Sequence, residues 1–300
     1  MPTEPRAQKS GRPMSGIIDI VVNPLTPRIV AARPDWTREF HTEKIGRAPE
    51  DVQSITHEQM IAQMDEAGVE RAFLVACKLG QEGTPGSWSM PYEWIAEAVA
   101  KYPDRFSGLA GVDPTEGMRG VRQLEHAVKE LGFIGAHTYP HWFELPPNDR
   151  KYYPFYAKCC ELGIPIQMQV GQSLVYYKKR PLRSVARPIL LDDIACDFPE
   201  LKLIGIHIGI PWHDEMIAMA WKHENVFIGS DAHSPKYWPE TFVHYLNSYG
   251  SKKVLFGTDY PVLAFKRTID EISALGLKPE SQRAFLRDNA LRVYGLNPKA

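Results

Sequence analysis

No apolar run in this sequence approaches the roughly 20 residues that a membrane-crossing helix needs. Cysteine is scarce. The four present, Cys77, Cys159, Cys160 and Cys196, include no Cys-x-x-Cys pair. A disulfide framework and a cysteine metal knuckle are therefore not expected, and the thiols read as free groups in a reducing compartment. Neither sign of charge prevails: 35 Lys and Arg stand against 36 Asp and Glu, a net charge of −1. Without a global basic field, nucleic acid is not an expected partner. A glycine-rich phosphate turn after an early strand, the mark of a doubly wound dinucleotide sheet, is also missing. No internal repeat or low-complexity segment is visible. Residues 1–16 are polar, with proline and glycine but no apolar centre. They predict a disordered tail rather than a signal peptide, so the folded domain spans 17–300 and the expected location is the cytoplasm.

What the sequence does contain is a regular alternation. An apolar fraction of 44% supports a large core. Short apolar runs at 17–22, 71–76, 106–112, 133–137, 165–170, 201–207, 226–229 and 253–257 read as buried parallel strands. Between them lie helical patterns at 57–67, 92–101, 117–131, 153–162, 190–197, 212–222 and 239–248, and two more close the chain at 268–275 and 279–294. Gly68, Gly132 and Gly163 mark helix stops. Thr56 with Gln59 three residues on predicts a capping box. Strict alternation implies a parallel sheet, and eight units in roughly 280 residues suit an α/β chain folded as a (β/α)8 TIM barrel. The polar stretch from 24 to about 54 is long for a loop, a length typical of binding elements and lids.

Barrel enzymes place their chemistry where strands end, and here those ends are polar. Asn23 ends the first strand, His137 and Tyr139 the fourth, Gln169 the fifth and His207 the sixth. Ser230, Asp231 and His233 follow the seventh, and Asp259 ends the eighth. Each has an ordinary structural explanation: a turn former, a satisfied core histidine, or, for Asp231, a helix-entry cap. Their coincidence at one end of the barrel points to a site. A buried carboxylate must find a partner. Beside a histidine it can fix the tautomer or accept a proton from water, while the imidazole stabilises charge on a carbonyl oxygen. That assigns Asp259 as general base and His207 as oxyanion stabiliser.

Several motifs resemble the amidohydrolase-related family, the branch of the amidohydrolase superfamily that includes aminocarboxymuconate-semialdehyde and resorcylate decarboxylases. They are Ile18-Asp19, the LGIP of 162–165, the HIGIPW of 207–212, the GTDYP of 257–261, Asn289-Ala290 and Tyr294-Gly295. The resemblance implies a divalent metal, often zinc, held by a His-x-His pair, a strand-five His and the strand-eight Asp, with a catalytic strand-six His. His207 and Asp259 match the last two roles. Val21 and Asn23 replace the His pair and Gln169 the third ligand, and amides bind zinc poorly. The expectation is therefore no metal cofactor. The alternative is zinc or another divalent ion with His137 recruited beside Asp259 and His207. Metal-free members of the superfamily hydrolyse activated carbonyl compounds.

After the fifth strand, Lys178, Lys179, Arg180, Arg183 and Arg187 crowd one loop. Arg180 and Arg183 are candidate receptors for a carboxylate or phosphate, such as that of an acyl-coenzyme A thioester. Aromatics in the same loops, Tyr139 and Trp212 among them, suggest a flat substrate. The favoured reading is a metal-independent hydrolase cleaving a C–C or thioester bond of a small anionic substrate. Asp259, His207 and His137 are its catalytic set. Asn23, Gln169, Tyr139, Trp212, His233, Arg180 and Arg183 contact the substrate. A carboxy-lyase acting on a hydroxylated aromatic acid is the alternative, and a non-catalytic binding protein the third reading. The family further implies a homodimer or higher homo-oligomer, with no nucleic-acid or membrane partner.

Overall fold

The computed structural model of the chain describes residues 16–297. The tail expected over 1–16 lies, but for Gly16, outside them. Eight strands form one sheet in sequence order: β1 (Ile17–Val22), β2 (Val69–Ala76), β3 (Phe106–Gly111), β4 (Gly135–Thr138), β5 (Ile166–Gln169), β6 (Leu203–Ile206), β7 (Val226–Gly229) and β8 (Val254–Leu255). Each neighbouring pair is parallel. The ends of the sheet meet: Ile20 N–H donates to the Phe256 carbonyl at 3.0 Å, and Asn23 N–H to that of Tyr260 at 2.8 Å. The sheet is thus a closed (β/α)8 barrel, as the alternation predicts.

The local causes are those legible in the sequence. All six residues of β1 are buried, as a strand covered on both faces requires. The helix His57–Ala67 begins with the expected capping box, in which Thr56 Oγ1 accepts from Gln59 N–H and Gln59 Oε1 accepts from Thr56 N–H. It ends at Gly68 with φ +76°, a left-handed stop that a side chain would strain. No helix among the described residues is long and apolar enough to cross a membrane.

The segment after β1 is more ordered than a loop. It carries helices Pro27–Ala32 and Trp36–Glu39, a wide turn Phe40–Lys44 and a short 3₁₀ turn Pro49–Val52. Pro27 and Pro49 each sit in the first turn, where a missing N–H costs nothing. Two small antiparallel ribbons lie at the same end of the barrel. One pairs Lys78–Leu79 with Trp88–Ser89, the other Tyr176–Tyr177 with Arg180–Pro181.

Candidate active site

Asp19, in the middle of β1, is fully buried and holds the end of β8 in place. Its Oδ1 accepts the backbone N–H groups of Val21 and Thr258, and its Oδ2 the Thr258 hydroxyl at 2.6 Å. Burial pushes its carboxyl up to about 7 against those donors. The next residue is Asp259, whose backbone sits in the left-handed region at φ +54°. His207 and Ile208 are also left-handed, at +68° and +59°. Such conformations cost about 1–3 kcal/mol each and persist only where the surroundings enforce them.

These strained turns bring three groups together. His207 Nε2 lies 3.2 Å from Asp231 Oδ2 and 3.8 Å from Asp259 Oδ2. Gln169 Nε2 faces His207 Nδ1 at 3.1 Å. Without a cation Nδ1 accepts and Nε2 carries its hydrogen toward the two carboxylates; a bound cation would take the place of that hydrogen. Asp231 Oδ1 accepts the His207 backbone N–H at 3.0 Å, so one residue fixes both the main chain and the ring edge of His207. Asn23 Nδ2 donates to Asp259 Oδ1 at 2.7 Å, leaving Oδ2 as the free oxygen of that carboxyl.

Burial, joined by the charge of Asp231, raises the Asp259 carboxyl to about 7, while the nearby His207 pulls the other way. Burial also opposes the charged form of His207, but Asp231 and then Asp259 more than offset it, and its pKa lies above the ordinary value. For Asp231 burial is likewise outweighed, mainly by His207, and its pKa lies below the usual range.

His207 and Asp259 face a cavity of about 120 Å³, and Asp231 is buried beside them without lining it. Asn23, Tyr139, Gln169, His207, His233 and Asp259 all line it, so six strand-end residues named from the sequence do converge. The walls above are largely aromatic: Trp36, Phe40, Trp88 and Trp142. The rings of Trp36 and Trp142 are 4.7 Å apart.

Other candidates lie elsewhere. His137 is fully buried beneath Tyr139, their rings 4.4 Å apart. Its Nδ1 meets Gln167 Oε1 at 2.9 Å, and its Nε2 has no hydrogen-bond partner. Burial holds it neutral, with a pKa down to about 4. Trp212 lies under the Arg187 guanidinium, 5.2 Å from it, at the start of the helix His213–Lys222. Arg180 spans two loops, with Nη2 on the Trp142 carbonyl at 2.8 Å and Nη1 on Thr84 Oγ1 at 3.2 Å. Arg183 is 81% exposed and pairs with Glu144. The cation that lines the cavity is Arg33.

Arg33, Trp36 and His41 come from the segment after β1, which offered no strand end or helical period to single them out. Arg33, Thr37 and His41 also border a cleft on the outer side of that segment. Asp231 carried a visible signal, an acid after the seventh strand. No helix starts directly after it to be capped; it serves His207 instead.

His207, Asp231 and Asp259 each offer a ligand atom, all within 4.8 Å of one another. Asp231 Oδ2 is buried and receives no well-directed hydrogen bond, an unmet demand that a cation would satisfy. One imidazole and two carboxylates form a donor set suited to a hard divalent ion such as manganese. The residues present therefore fit a metal, with Asp231 rather than His137 as the third donor.

Comparison with known proteins agrees with this architecture. The family model described as Amidohydrolase matches residues 31–296. A 2-keto-4-carboxy-3-hexenedioate hydratase of Sphingobium sp. is 30% identical over 162 residues, covering 48% of this chain and 47%, about half, of that relative. A gamma-resorcylate decarboxylase of Rhodococcus jostii is 22% identical over 253 residues, covering 68% and 74%. Among solved structures, an uncharacterized TIM-barrel protein of Bordetella bronchiseptica superposes with a TM-score of 0.75 at 26% identity, covering 94% and 99%. A dihydroxybenzoic acid decarboxylase of Polaromonas sp. JS666, solved with bound manganese and 2-nitroresorcinol, does so at 0.69 and 18%, covering 95% and 98%.

Proposed function

Since this chain belongs to the amidohydrolase family, we propose that it is a carboxy-lyase that removes CO2 from a hydroxylated aromatic acid, working with a divalent cation held by His207, Asp231 and Asp259. The observation that carries this reading is the His207–Asp259 pair, 3.8 Å apart, facing an aromatic-walled cavity. Walls made by Trp36, Phe40, Trp88 and Trp142 suit a flat aromatic ring. The decarboxylase relatives and the manganese in one of them support the lyase and metal alternatives over the metal-free hydrolase expected from the sequence.

A bound divalent ion would supply positive charge to the substrate's oxygens. The rest falls to side chains. Loss of CO2 from an electron-rich ring needs a proton on the carbon that bears the carboxylate. The carbon–carbon electron pair then returns to the ring as CO2 leaves. Asp259 Oδ2 is the oxygen placed to hold and deliver that proton, because Asn23 occupies Oδ1. Asp259 regains a proton from solvent once product leaves, since His207 Nε2 as a ligand of the cation has none to give. Gln169 holds the imidazole in one orientation, and the tryptophan walls exclude water.

Hydration of an unsaturated acid is the second reading, favoured by the 30% identity to the hydratase. It would use Asp259 as the acid–base group on a carbon–carbon double bond. The test is to incubate the manganese-loaded protein with γ-resorcylate and to measure released CO2 and metal content. About one manganese per chain with stoichiometric CO2 supports the lyase. Ring-intact product without CO2 from any hydroxybenzoate, or turnover unaffected by complete metal removal, would overturn it.

A further inference from the structure

A second cluster of ligating side chains lies away from the catalytic mouth. Asp192 and Cys196 sit four residues apart on the helix Leu191–Asp197, a spacing that puts both on one face. His223 directly follows the helix His213–Lys222, and its Nε2 lies 2.6 Å from Asp192 Oδ1. One carboxylate oxygen of Asp192, the Cys196 sulfur and one His223 nitrogen all lie within 4.8 Å of one another. The cluster is at the opposite end of the barrel from the reaction. His223 belongs to the link that enters β7, whereas His207, Asp231 and Asp259 follow strand ends. Two residues on, Asn225 Nδ2 donates to the Phe198 and Leu201 carbonyls at 3.1 and 3.0 Å, which ties this link to the one that enters β6.

Charge pairing accounts for only part of the cluster. Lys222 Nζ also lies 2.6 Å from Asp192 Oδ1. Hydrogen bonds from Lys222 and then His223 hold the Asp192 carboxyl below its usual range, so it is ionised. Neither bond involves Cys196. Cysteine is among the residue types most often buried. Cys77 and Cys159 follow that habit, yet Cys196 is exposed beside an imidazole and a carboxylate. The His223 side chain is only 10% exposed, so its ring is held in place while the thiol stays open to solvent.

We infer that Asp192, Cys196 and His223 form a second metal site, for a thiophilic divalent cation such as zinc, that bridges the helices on either side of β6. Thiolate, imidazole and carboxylate are the three donor types that zinc takes, and three protein donors leave its fourth position to water. Donor atoms on one zinc stand roughly 3.5 Å apart, so side-chain rotation has little distance to cover. Loading is balanced in protons. The Cys196 thiol releases its proton to solvent, and the imidazole hydrogen moves from Nε2 to Nδ1 so that the Nε2 lone pair meets the ion. Lys222, half exposed, gives up its bond to Asp192 and turns to solvent. The thiolate also separates the two sites. Sulfur favours zinc, whereas the oxygen-rich set of His207, Asp231 and Asp259 suits manganese.

The test titrates the manganese-loaded full chain with cobalt(II), whose bond to a thiolate gives a near-ultraviolet charge-transfer band. A band that saturates near one thiolate-bound cobalt per chain, and that zinc abolishes, is expected. Cys196→Ser should lose the band. Asp192→Asn and His223→Gln should each weaken cobalt at least tenfold, and Lys222→Gln should tighten it threefold or more by removing the competing ammonium. Zinc should also slow alkylation of Cys196 at least tenfold, as followed by mass spectrometry, a reading that needs no variant to fold. No band, a band that survives Cys196→Ser, equal affinity in Asp192→Asn and His223→Gln, weaker binding in Lys222→Gln, or alkylation indifferent to zinc would overturn the site. None of these readings uses turnover, so the outcome is independent of the lyase proposal.

Discussion

Asp19 accepts both the amide and the hydroxyl of Thr258, at 3.1 and 2.6 Å, although 239 residues separate them. The bond ties the first barrel strand to the last. Thr258 Oγ1 in turn accepts the Tyr260 N–H at 3.0 Å. Asp259 lies between, so its left-handed backbone is bracketed on both sides. The reactive carboxyl is thus aimed by a buried carboxyl that never meets the cavity.

Thr258→Val tests that bracket. Valine matches the shape but removes the hydroxyl, leaving Asp19 Oδ2 and the Tyr260 N–H unsatisfied in the interior. Each such group costs about 1–3 kcal/mol, so urea denaturation should show a loss of about 2–4 kcal/mol. Turnover should fall at least tenfold, in kcat more than in KM, and Thr258→Ser should restore most of both. Full activity in the valine variant would mean that Asp259 is positioned by other contacts.

Asp231→Asn separates charge from geometry. The amide oxygen can still accept the His207 backbone N–H. The negative charge that offsets burial of the imidazole is lost. In metal-free protein the His207 pKa should therefore drop, as followed by its ring signals in NMR. Manganese affinity should weaken at least tenfold, since one donor becomes a neutral amide. An unchanged affinity would remove Asp231 from the donor set.

The sequence made the barrel legible because each strand is a short buried run, and six of the eight are closed by a polar residue. It also placed His207, Asp259, Asn23 and Gln169 at one mouth, since strand direction alone decides where those residues end. Two features were beyond it. The loop between Asn23 and the helix starting at His57 has no repeating period, so nothing marked Arg33 or His41 as facing inward. The cationic loop after β5 drew attention by charge density, yet its arginines serve the protein itself. Arg180 ties loops together, Arg183 meets Glu144 and Arg187 meets Glu215. Charge density along a chain says nothing about which partner lies across the fold. The metal expectation turned on the same limit. Counting replaced histidines could not show that Asp231, from another strand, approaches His207.

His137 yields a pH prediction. Its pKa is lowered by burial from 6.5 to about 4. The unfolded chain therefore binds more protons than the folded one between those values, and stability must fall as pH falls through that window. The contribution is complete above about pH 6.5 and is lost by about pH 4. One such group adds a slope of about 1.4 kcal/mol per pH unit, or roughly 3 kcal/mol across the window. Denaturation of His137→Gln between pH 7 and pH 4 should show a slope shallower by that amount. Parallel wild-type and variant curves would show that His137 is charged in the native state.

The roof of the cavity gives the last prediction. Gly86 has φ +76°, and a Cβ there would lie 2.8 Å from Cε1 of Tyr177 and 3.4 Å from Cδ1 of Trp36. Its carbonyl accepts the Trp36 indole N–H at 3.0 Å. One glycine therefore joins the turn between Leu79 and Trp88, the ribbon at Tyr177 and the segment that carries Arg33. Gly86→Ala adds strain of about 1–2 kcal/mol from the left-handed backbone and pushes the Tyr177 ring outward. The floor, where His207 and Asp259 sit on the barrel itself, has no contact with this turn. Ligand affinity and KM should weaken three- to tenfold while kcat stays within twofold. If kcat falls as far as KM rises, the roof and the reacting groups are one mechanical unit, and the division between binding by loops and chemistry by strand ends does not hold for this barrel.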